Sequence, residues 1–182
     1  MSDIQSNASK SFNLDEAIFK QRELFLFNKV DNDSILKLIK EIKILDNENK
    51  KPIKLWINSP GGSTVAGLAL INIMKSVKSK IITIINNEAC SMASQISVAG
   101  DERYIVRNGS WMAHDMRGGI DGDYSAKIEY RAKRLKQHYK QLEQNYKKYT
   151  RLTKKDLTIA RNGELWLNAS QCLKKDIVDK II

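Results

Sequence analysis

The segment 88–94, with the sequence EACSMAS, holds the serine best placed to act as a nucleophile. It follows the apolar, β-branched run 81–85, which is typical of a short buried strand, and it leads into small residues that are compatible with a helix. We therefore expect Ser91 where a strand turns into a helix. Backbone N–H groups without helical partners would surround its hydroxyl, which suits a reaction that passes through an oxyanion. The alternative is that Ser91 only caps the helix.

A serine nucleophile needs a base within hydrogen-bond reach, and the base must be oriented by an acid. The chain has two histidines. His114 ends a predicted strand ahead of a glycine-containing loop and is the better candidate for the base, whereas His138 is predicted to be a surface residue of a helix. The oxyanion also needs two N–H donors, and the backbone of Gly62 and Met92 can offer them, one from each of two turns.

The stretch Asn58–Ser63, NSPGGS, predicts a sharp turn, because Pro60 fixes φ and the two glycines permit backbone conformations that other residues avoid. Strand and helix patterns alternate along the chain, which indicates an α/β fold with a mostly parallel central sheet. Sites in such sheets lie at the carboxyl ends of the strands. Gly61-Gly62 and Ser91 both follow predicted strand ends, so we expect them at one edge.

The remaining elements follow from hydrophobic periodicity and capping residues. Asn86 and Asn87 are expected to end the strand that begins at Ile81, and a flexible glycine-rich loop is predicted at 118–122. The predicted strands are 23–27, 53–57, 81–85, 103–106 and 111–113, with an extended piece at 163–167. The predicted helices are 14–22, 35–45, 65–74, 91–99, 125–149, 153–162 and a short one after Asn168. Helix caps are predicted at Asn13, within Asp31–Ser34, at Thr153 and, with capping-box spacing, at Asn168.

The helix predicted at 125–149 carries an apolar seam with alternating spacings of four and three residues over about three heptads. Such a seam needs a partner surface, either on the chain's own core or on a neighbouring subunit, and the residues alone favour the core. The seam residues are Ile128, Ala132, Leu135, Tyr139, Leu142, Tyr146 and Tyr149.

The 182 residues are enough for one domain, predicted at 12–182 behind a polar and flexible tail at 1–11. The first ten residues lack the apolar core of a signal peptide, and no apolar run approaches the length of a membrane span. Cys90 and Cys172 have neither partners nor metal-ligand spacing, so we expect a reducing, cytoplasmic setting without metal or disulfide. The net charge of +10 raises nucleic acid as a partner, but the excess is concentrated at 127–155, where a solvated basic helix face is the simpler explanation.

Several motifs, in order and nearly in register from about Phe12 to Asp179, resemble the ClpP family, the proteolytic subunits of Clp proteases. The turn 57–63 with Ala66-Gly67 resembles that family's glycine turn, and ACSMA at 89–93 resembles its usual Ala-Ala-Ser-Met-Gly nucleophile segment. Further matches are Phe25-Leu-Phe to Asp31, Met112-Ala-His114, Trp166-Leu-Asn-Ala169 and Ile177-Val-Asp179.

The resemblance implies a crotonase-like α/β fold and a Ser-His-acid peptidase without a cofactor. Ser91 would be the nucleophile, His114 the base and Glu164 the orienting acid. The backbone N–H groups of Gly62 and Met92 would form the oxyanion hole. A peptide substrate would lie as an added strand between the turn at Gly62, Ser63 and Thr64 and the segment that begins with Asp115 and Met116.

The resemblance also implies two stacked seven-membered rings that enclose a chamber, with the long helix acting as a handle between the rings. The implied partners are an ATP-driven unfoldase or a paralogous or host ClpP, with no nucleic acid and no membrane. Four features differ from the family's pattern. Glu164 stands for its Asp, Gly163 for a neighbouring Arg and Asp115-Met116 for Gln-Pro, and the start of the chain lacks the family's apolar segment.

Three alternatives follow from these residues. One is a catalytically impaired ring subunit that assembles with an active paralogue, which Glu164 and Gly163 favour. Another is a Ser–Lys peptidase of the crotonase-like fold, whose lysine would be Lys54 or Lys75. The third is a basic nucleic-acid-binding protein, which a salt-dependent shift assay would reveal. For the acid of the peptidase, Asp115 or no carboxylate at all are the alternatives to Glu164.

Overall fold

The computed structural model of the chain describes residues 13–116 and 125–182. Within them the chain forms a seven-stranded, mostly parallel sheet packed with helices, which confirms the predicted α/β fold class. The strands are β1 Glu23–Leu26, β2 Ile53–Ser59, β3 Ile81–Cys90, β4 Glu102–Ile105, β5 Ser110–His114, β6 Glu164–Asn168 and β7 Lys180–Ile181. The helices are α1 Leu14–Lys20, α2 Asn32–Glu48, α3 Thr64–Ser76, α4 Met92–Val98, α5 Ser125–Tyr149, α6 Lys154–Asn162 and α7 Ala169–Lys174. None of the described helices is both long and apolar enough to cross a membrane.

Local capping chemistry begins most of these helices where the sequence predicts. Asn13 accepts a hydrogen bond from the first turn of α1, and Ser63 does the same for α3. Reciprocal capping boxes begin α2 at Asp31, α6 at Thr153 and α7 at Asn168. Each box satisfies backbone N–H groups that the helix itself leaves without partners.

Strand β3 is the central strand, and its end positions Ser91. It pairs in parallel with β2 along one side, while its other side pairs first with β4 and then, from Glu88 to Cys90, with β5. The prediction that Asn86 and Asn87 end this strand is wrong. They are exposed at a register shift, where Ile57 pairs with Ile85 but Ser59 pairs with Ala89. The strand bulges there and resumes pairing, so it delivers Ser91 directly from a ten-residue strand.

Strand β5 forms the one antiparallel pair of the described sheet, with β6. The pair extends the sheet beyond the end of β3 and brings the C-terminal third of the chain to the same edge. The core lies between the parallel strands and the helices; its largest fully buried side chains include Trp111, Ile57, Leu70 and Ile96.

The seam of α5 is divided between two environments. Towards its C-terminal end, Tyr146 is buried, and Leu142 and Tyr149 pack against the core. At the other end Ile128 keeps 37% of its surface exposed. Of the seam residues, only Leu142, Tyr146 and Tyr149 belong to or pack against the described core cluster, so the chain's own core covers the last turns of the seam. The predicted glycine loop and the N-terminal tail lie outside the described residues.

Candidate active site

The turn after β2 and the turn after β3 meet, as their positions at the strand ends predict. Gly61 has a φ of 86°, and a Cβ built there would lie 2.8 Å from the Cβ of Ser91 and 2.5 Å from the carbonyl oxygen of Cys90. Both the backbone conformation and the contact therefore require glycine. Val30 holds the turn in place, because its N–H donates to the carbonyl of Gly61 and its carbonyl accepts from Ser63.

Ser91 lies at this junction in a backbone conformation that non-glycine residues rarely adopt, with φ 54° and ψ −118°. Its N–H donates to the carbonyl of Met112 at 2.9 Å, which ties the junction to β5. Although Ser91 occupies the N-cap position of α4, its side chain makes no capping hydrogen bond. The interpretation of Ser91 as a helix cap is therefore wrong.

Eight of the nine residues predicted for the site line one cavity of about 800 Å³. They are Gly62, Ser63, Thr64, Ser91, Met92, His114, Asp115 and Met116. Glu164 is not among the described residues that line the cavity. Neither are Lys54 and Lys75, which instead pair with Glu23 and Asp101. The Ser–Lys alternative therefore has no support from the cavity, and His138 lies outside the lining as well.

The base candidate, His114, is the last residue of β5 and is half-buried. Its Nδ1 is in hydrogen-bond contact with the carbonyl oxygen of Asp115. A carbonyl only accepts, so in the neutral ring this contact places the proton on Nδ1 and leaves Nε2 as the acceptor nitrogen. The N–H of Asp115 donates in turn to the carbonyl of Ala160 at 3.0 Å, which ties this segment to α6.

Glu164, the acid candidate, begins β6 directly opposite His114. Its side chain is exposed, and its Oε2 accepts a hydrogen bond from the indole N–H of Trp166 at 2.9 Å. The carboxylate of Asp115 accepts a hydrogen bond from the N–H of Met116 at 2.7 Å. The structure thus brings both candidate acids close to His114. Their carboxylates, however, accept hydrogen bonds from Trp166 and Met116.

The other nucleophiles near the junction are poorly suited to the task. Cys90 is buried, and burial together with the charges of Glu88 and Glu164 raises the pKa of its thiol to about 12. The thiol therefore stays protonated at neutral pH. Ser94 is fully buried, and its hydroxyl is engaged with Ser91 and Tyr146.

Sequence patterns did not identify the far wall of the cavity, which α5 and α6 supply. Tyr139, Leu142 and Tyr146 of the α5 seam line it, so the seam was visible in the sequence but indicated only packing. Arg161 of α6 closes this wall: it donates to the hydroxyl of Tyr139 at 3.0 Å and pairs with Glu143 at 3.4 Å. The cavity thus combines an apolar wall with a charged rim.

The arrangement can support attack by a hydroxyl on a carbonyl group. The strained Ser91 lines one cavity together with His114, Gly62 and Met92. Among the described residues, no cluster of three or more His, Cys, Asp or Glu side chains could hold a metal ion.

Comparison with known proteins finds similar sequences over nearly the whole chain. The family model described as Clp protease matches residues 6–182. The ATP-dependent Clp protease proteolytic subunit of Streptococcus mutans is 29% identical over 185 residues, which cover 97% of this chain and 92% of that protein. The protein of the same name from Dehalococcoides mccartyi is 29% identical over 184 residues, which cover 98% of this chain and 92% of that relative.

Proposed function

The chain belongs to the Clp protease family, and on this basis we propose that it is an active serine endopeptidase that cleaves unfolded polypeptides or short peptides. The observation that carries the proposal is the shared cavity, in which Ser91 and His114 meet the turn at Gly62. Family membership by itself supports a ClpP-like protease; the shared cavity supports an intact nucleophile and base.

In the proposed reaction, the Oγ of Ser91 attacks the carbonyl carbon of the scissile peptide bond, and its proton passes to Nε2 of His114. The resulting oxyanion accepts hydrogen bonds from the N–H groups of Gly62 and Met92. When the tetrahedral intermediate collapses, the C–N bond breaks and the leaving amine takes the proton from His114. Water then attacks the carbonyl carbon of the acyl-enzyme while His114 takes a proton from it. When this second intermediate collapses, the ester C–O bond breaks, the Oγ of Ser91 takes the proton back from His114, and the carboxylic acid product leaves.

The substrate would lie extended beside the turn at Ser63 and Thr64 and the segment that begins with Asp115 and Met116. Main-chain hydrogen bonds to an added strand recognise the backbone of the substrate rather than its side chains. This mode of binding suits an enzyme that acts on many sequences. In this proposal the side chain next to the scissile bond enters the cavity between α4, α5 and α6, where the wall is largely apolar.

Glu164 is proposed as the acid that orients His114. Its position opposite His114 supports the role, since the two side chains share one face of the β5–β6 pair. The role requires Nδ1 of His114 to exchange the carbonyl of Asp115 for the Glu164 carboxylate. A carboxylate would stabilise the imidazolium far better than a carbonyl does, because it carries a full negative charge.

We further propose a homo-oligomer of seven-membered rings, two of which can stack, that works in the cytoplasm with an ATP-driven unfoldase or a paralogous ClpP. The first half of α5, where Ile128 is exposed at the apolar seam and lies outside the core cluster, supports an intersubunit role for this helix. A second candidate function is an impaired ring subunit, which the bonds of His114 to Asp115 and of Glu164 to Trp166 favour.

A serine-directed fluorophosphonate separates the two functions. An active peptidase becomes labelled at Ser91 and cleaves a fluorogenic peptide, and Ser91→Ala abolishes both while the assembly mass is unchanged. Cys90→Ala is the matched control and keeps both activities. Absence of labelling in the assembled wild-type protein would favour the impaired subunit, and labelling that survives Ser91→Ala would place the nucleophile elsewhere.

A further inference from the structure

Two buried hydroxyl groups link the long helix α5 to the backbone of Ser91. The Oγ of Ser94 lies 2.7 Å from the hydroxyl of Tyr146 and 2.5 Å from the carbonyl oxygen of Ser91. The carbonyl can only accept, so the single proton of the Ser94 hydroxyl is donated there. Tyr146 must then donate to Ser94. The chain of hydrogen bonds therefore runs in one direction, from Tyr146 through Ser94 to Ser91.

The carbonyl of Ser91 belongs to the same peptide unit as the N–H of Met92, which is one of the two proposed oxyanion donors. A trans peptide is planar, and its C=O and N–H point in opposite directions. Holding the Ser91 oxygen towards the interior therefore holds the Met92 N–H towards the cavity. The backbone N–H groups of Ser94 and Gln95 also reach this oxygen, at the longer distances of 3.1 and 3.4 Å.

This peptide plane needs support, because Ser91 has a φ of 54° and a ψ of −118°. Residues other than glycine rarely adopt such a conformation, and they keep it only where the surroundings hold them in it. The short hydrogen bond from Ser94 is made to the carbonyl oxygen of Ser91. It therefore restrains the orientation of the peptide plane that follows this strained residue.

The donor end of the chain is firmly placed. The ring of Tyr146 packs edge-to-face on Trp111, with centroids 5.4 Å apart. The indole N–H of Trp111 donates to the carbonyl of Ser94 at 3.3 Å, and the side-chain amide of Gln95 donates to the carbonyl of Leu142 at 3.1 Å. Burial raises the pKa of the Tyr146 hydroxyl well above its usual value, so the hydroxyl keeps the proton that it donates.

We propose that Ser94 and Tyr146 are positioning residues that hold the Ser91–Met92 peptide so that its N–H faces the developing oxyanion. The inference rests on the proposed peptidase function and adds two residues that act through the Ser91–Met92 peptide rather than on the reacting atoms. It also makes the last turns of α5 part of the support of the active site.

The test compares Ser94→Ala and Tyr146→Phe with Ser97→Ala. Ser97 is the matched control, because it is also buried on α4 and donates to a carbonyl three residues earlier, that of Ser94, at 2.8 Å. Outright removal of an oxyanion donor costs about 10²–10³ in kcat. In these variants the Met92 N–H remains, but the hydrogen bonds that hold its peptide plane are weakened. We therefore expect kcat to fall about tenfold in Ser94→Ala and about threefold in Tyr146→Phe. KM should stay within about twofold of wild type.

A peptide aldehyde supplies the second readout, since its adduct with Ser91 carries the oxyanion. We expect its affinity to fall in step with kcat in both variants and to stay at the wild-type value in Ser97→Ala. Wild-type kcat and aldehyde affinity in Ser94→Ala and Tyr146→Phe would overturn the inference and leave the proposed function intact. A rise in KM that accounts for the whole loss would also overturn it. A wild-type protein that fluorophosphonate does not label would overturn the proposed function first.

Discussion

His114 and Glu164 lie directly opposite each other in the antiparallel pair of β5 and β6. Residues in this relationship have Cβ atoms about 4.5–5.5 Å apart on one face of the sheet. Yet Nδ1 of His114 contacts the carbonyl of Asp115, and the Glu164 carboxylate accepts from the indole of Trp166. The register places an acid beside the base, while the local hydrogen bonds give each a different partner.

Glu164→Gln therefore tests whether the cross-strand pair operates during catalysis. The amide can present an N–H to the imidazole but cannot stabilise the imidazolium, so we expect kcat to fall by at least about a hundredfold with the assembly preserved. Peptide hydrolysis and assembly mass are the measurements. Trp166→Phe is the matched control, because it removes only the indole N–H from the carboxylate and should keep activity.

The opposite pattern would reassign the acid. If Glu164→Gln retains full activity while Asp115→Asn loses it, the carboxylate of Asp115 orients His114. If both variants retain activity, the backbone carbonyl of Asp115 is sufficient and the enzyme works without a triad acid. Glu164→Asp shortens the arm by one methylene, so its activity reports how closely the two strands must approach.

Peptidase activity should rise with pH through the range in which a histidine loses its proton, about pH 5 to 8. Only the neutral ring can accept the proton of Ser91. The measurement is kcat/KM for a neutral peptide across this range, with the assembly mass checked at each end. A flat profile would argue against a histidine base.

Leu135→Glu tests the uncovered part of the α5 seam. Leu135 is half-buried on a stretch of helix outside the core cluster, so a charge there should spare the fold and oppose contact with a neighbouring subunit. We expect smaller species in sedimentation with an unchanged melting profile for the monomeric unit. Gln137→Glu adds the same charge to an exposed position of the same helix and should assemble like wild type.

Leu142→Glu gives a different result from Leu135→Glu, because Leu142 packs against the core and lines the cavity. It should lower the melting temperature as well as the assembly mass. If wild type sediments as a monomer near its mass of 20.8 kDa, the ring model is wrong.

Asp46 links the end of α2 to the turn before β3 and makes stability depend on pH. Burial acts to raise the pKa of this carboxyl. Hydrogen bonds from the N–H and hydroxyl of Ser79 and the charge of Lys50 outweigh burial and lower the pKa to about 2. A lowered folded-state pKa contributes stability that is present above about pH 4 and lost as the pH falls towards 2.

We therefore expect Asp46→Asn to lower the free energy of unfolding by about 2 kcal/mol at pH 7, the range of hydrogen bonds to a charged group. The difference from wild type should shrink as the pH falls from about 4 to 2. Denaturant unfolding at several pH values measures both effects. Asp33→Asn, an exposed change in the first turn of the same helix, is the control and should differ little from wild type.

The sequence by itself determined the features that depend on near neighbours in the chain. The caps at Asn13, Asp31, Thr153 and Asn168 act over three residues, so their spacing predicts the helix starts. The order of strands and helices placed Ser91 and the Gly61-Gly62 turn at one edge, because parallel strands end on the same side of a sheet. The fold class, and the eight of the nine candidate residues that line the cavity, followed from these local rules and from the resemblance to the ClpP family.

The tertiary structure alone decided features that depend on residues far apart in the chain. Asn86 and Asn87 remain within β3 because pairing with β2 and β5 resumes beyond the bulge. The free energy of this pairing comes from strands that are distant in the chain, so a local sequence pattern does not reveal it. The seam of α5 ends as a wall of the cavity because α4 and α6 pack beside its last turns. The link from Tyr146 to Ser94 joins residues 52 positions apart, and the strained backbone of Ser91 is held only after those elements have packed. Directional hydrogen bonds at this site depend on distances of tenths of an ångström, which only the packed fold sets.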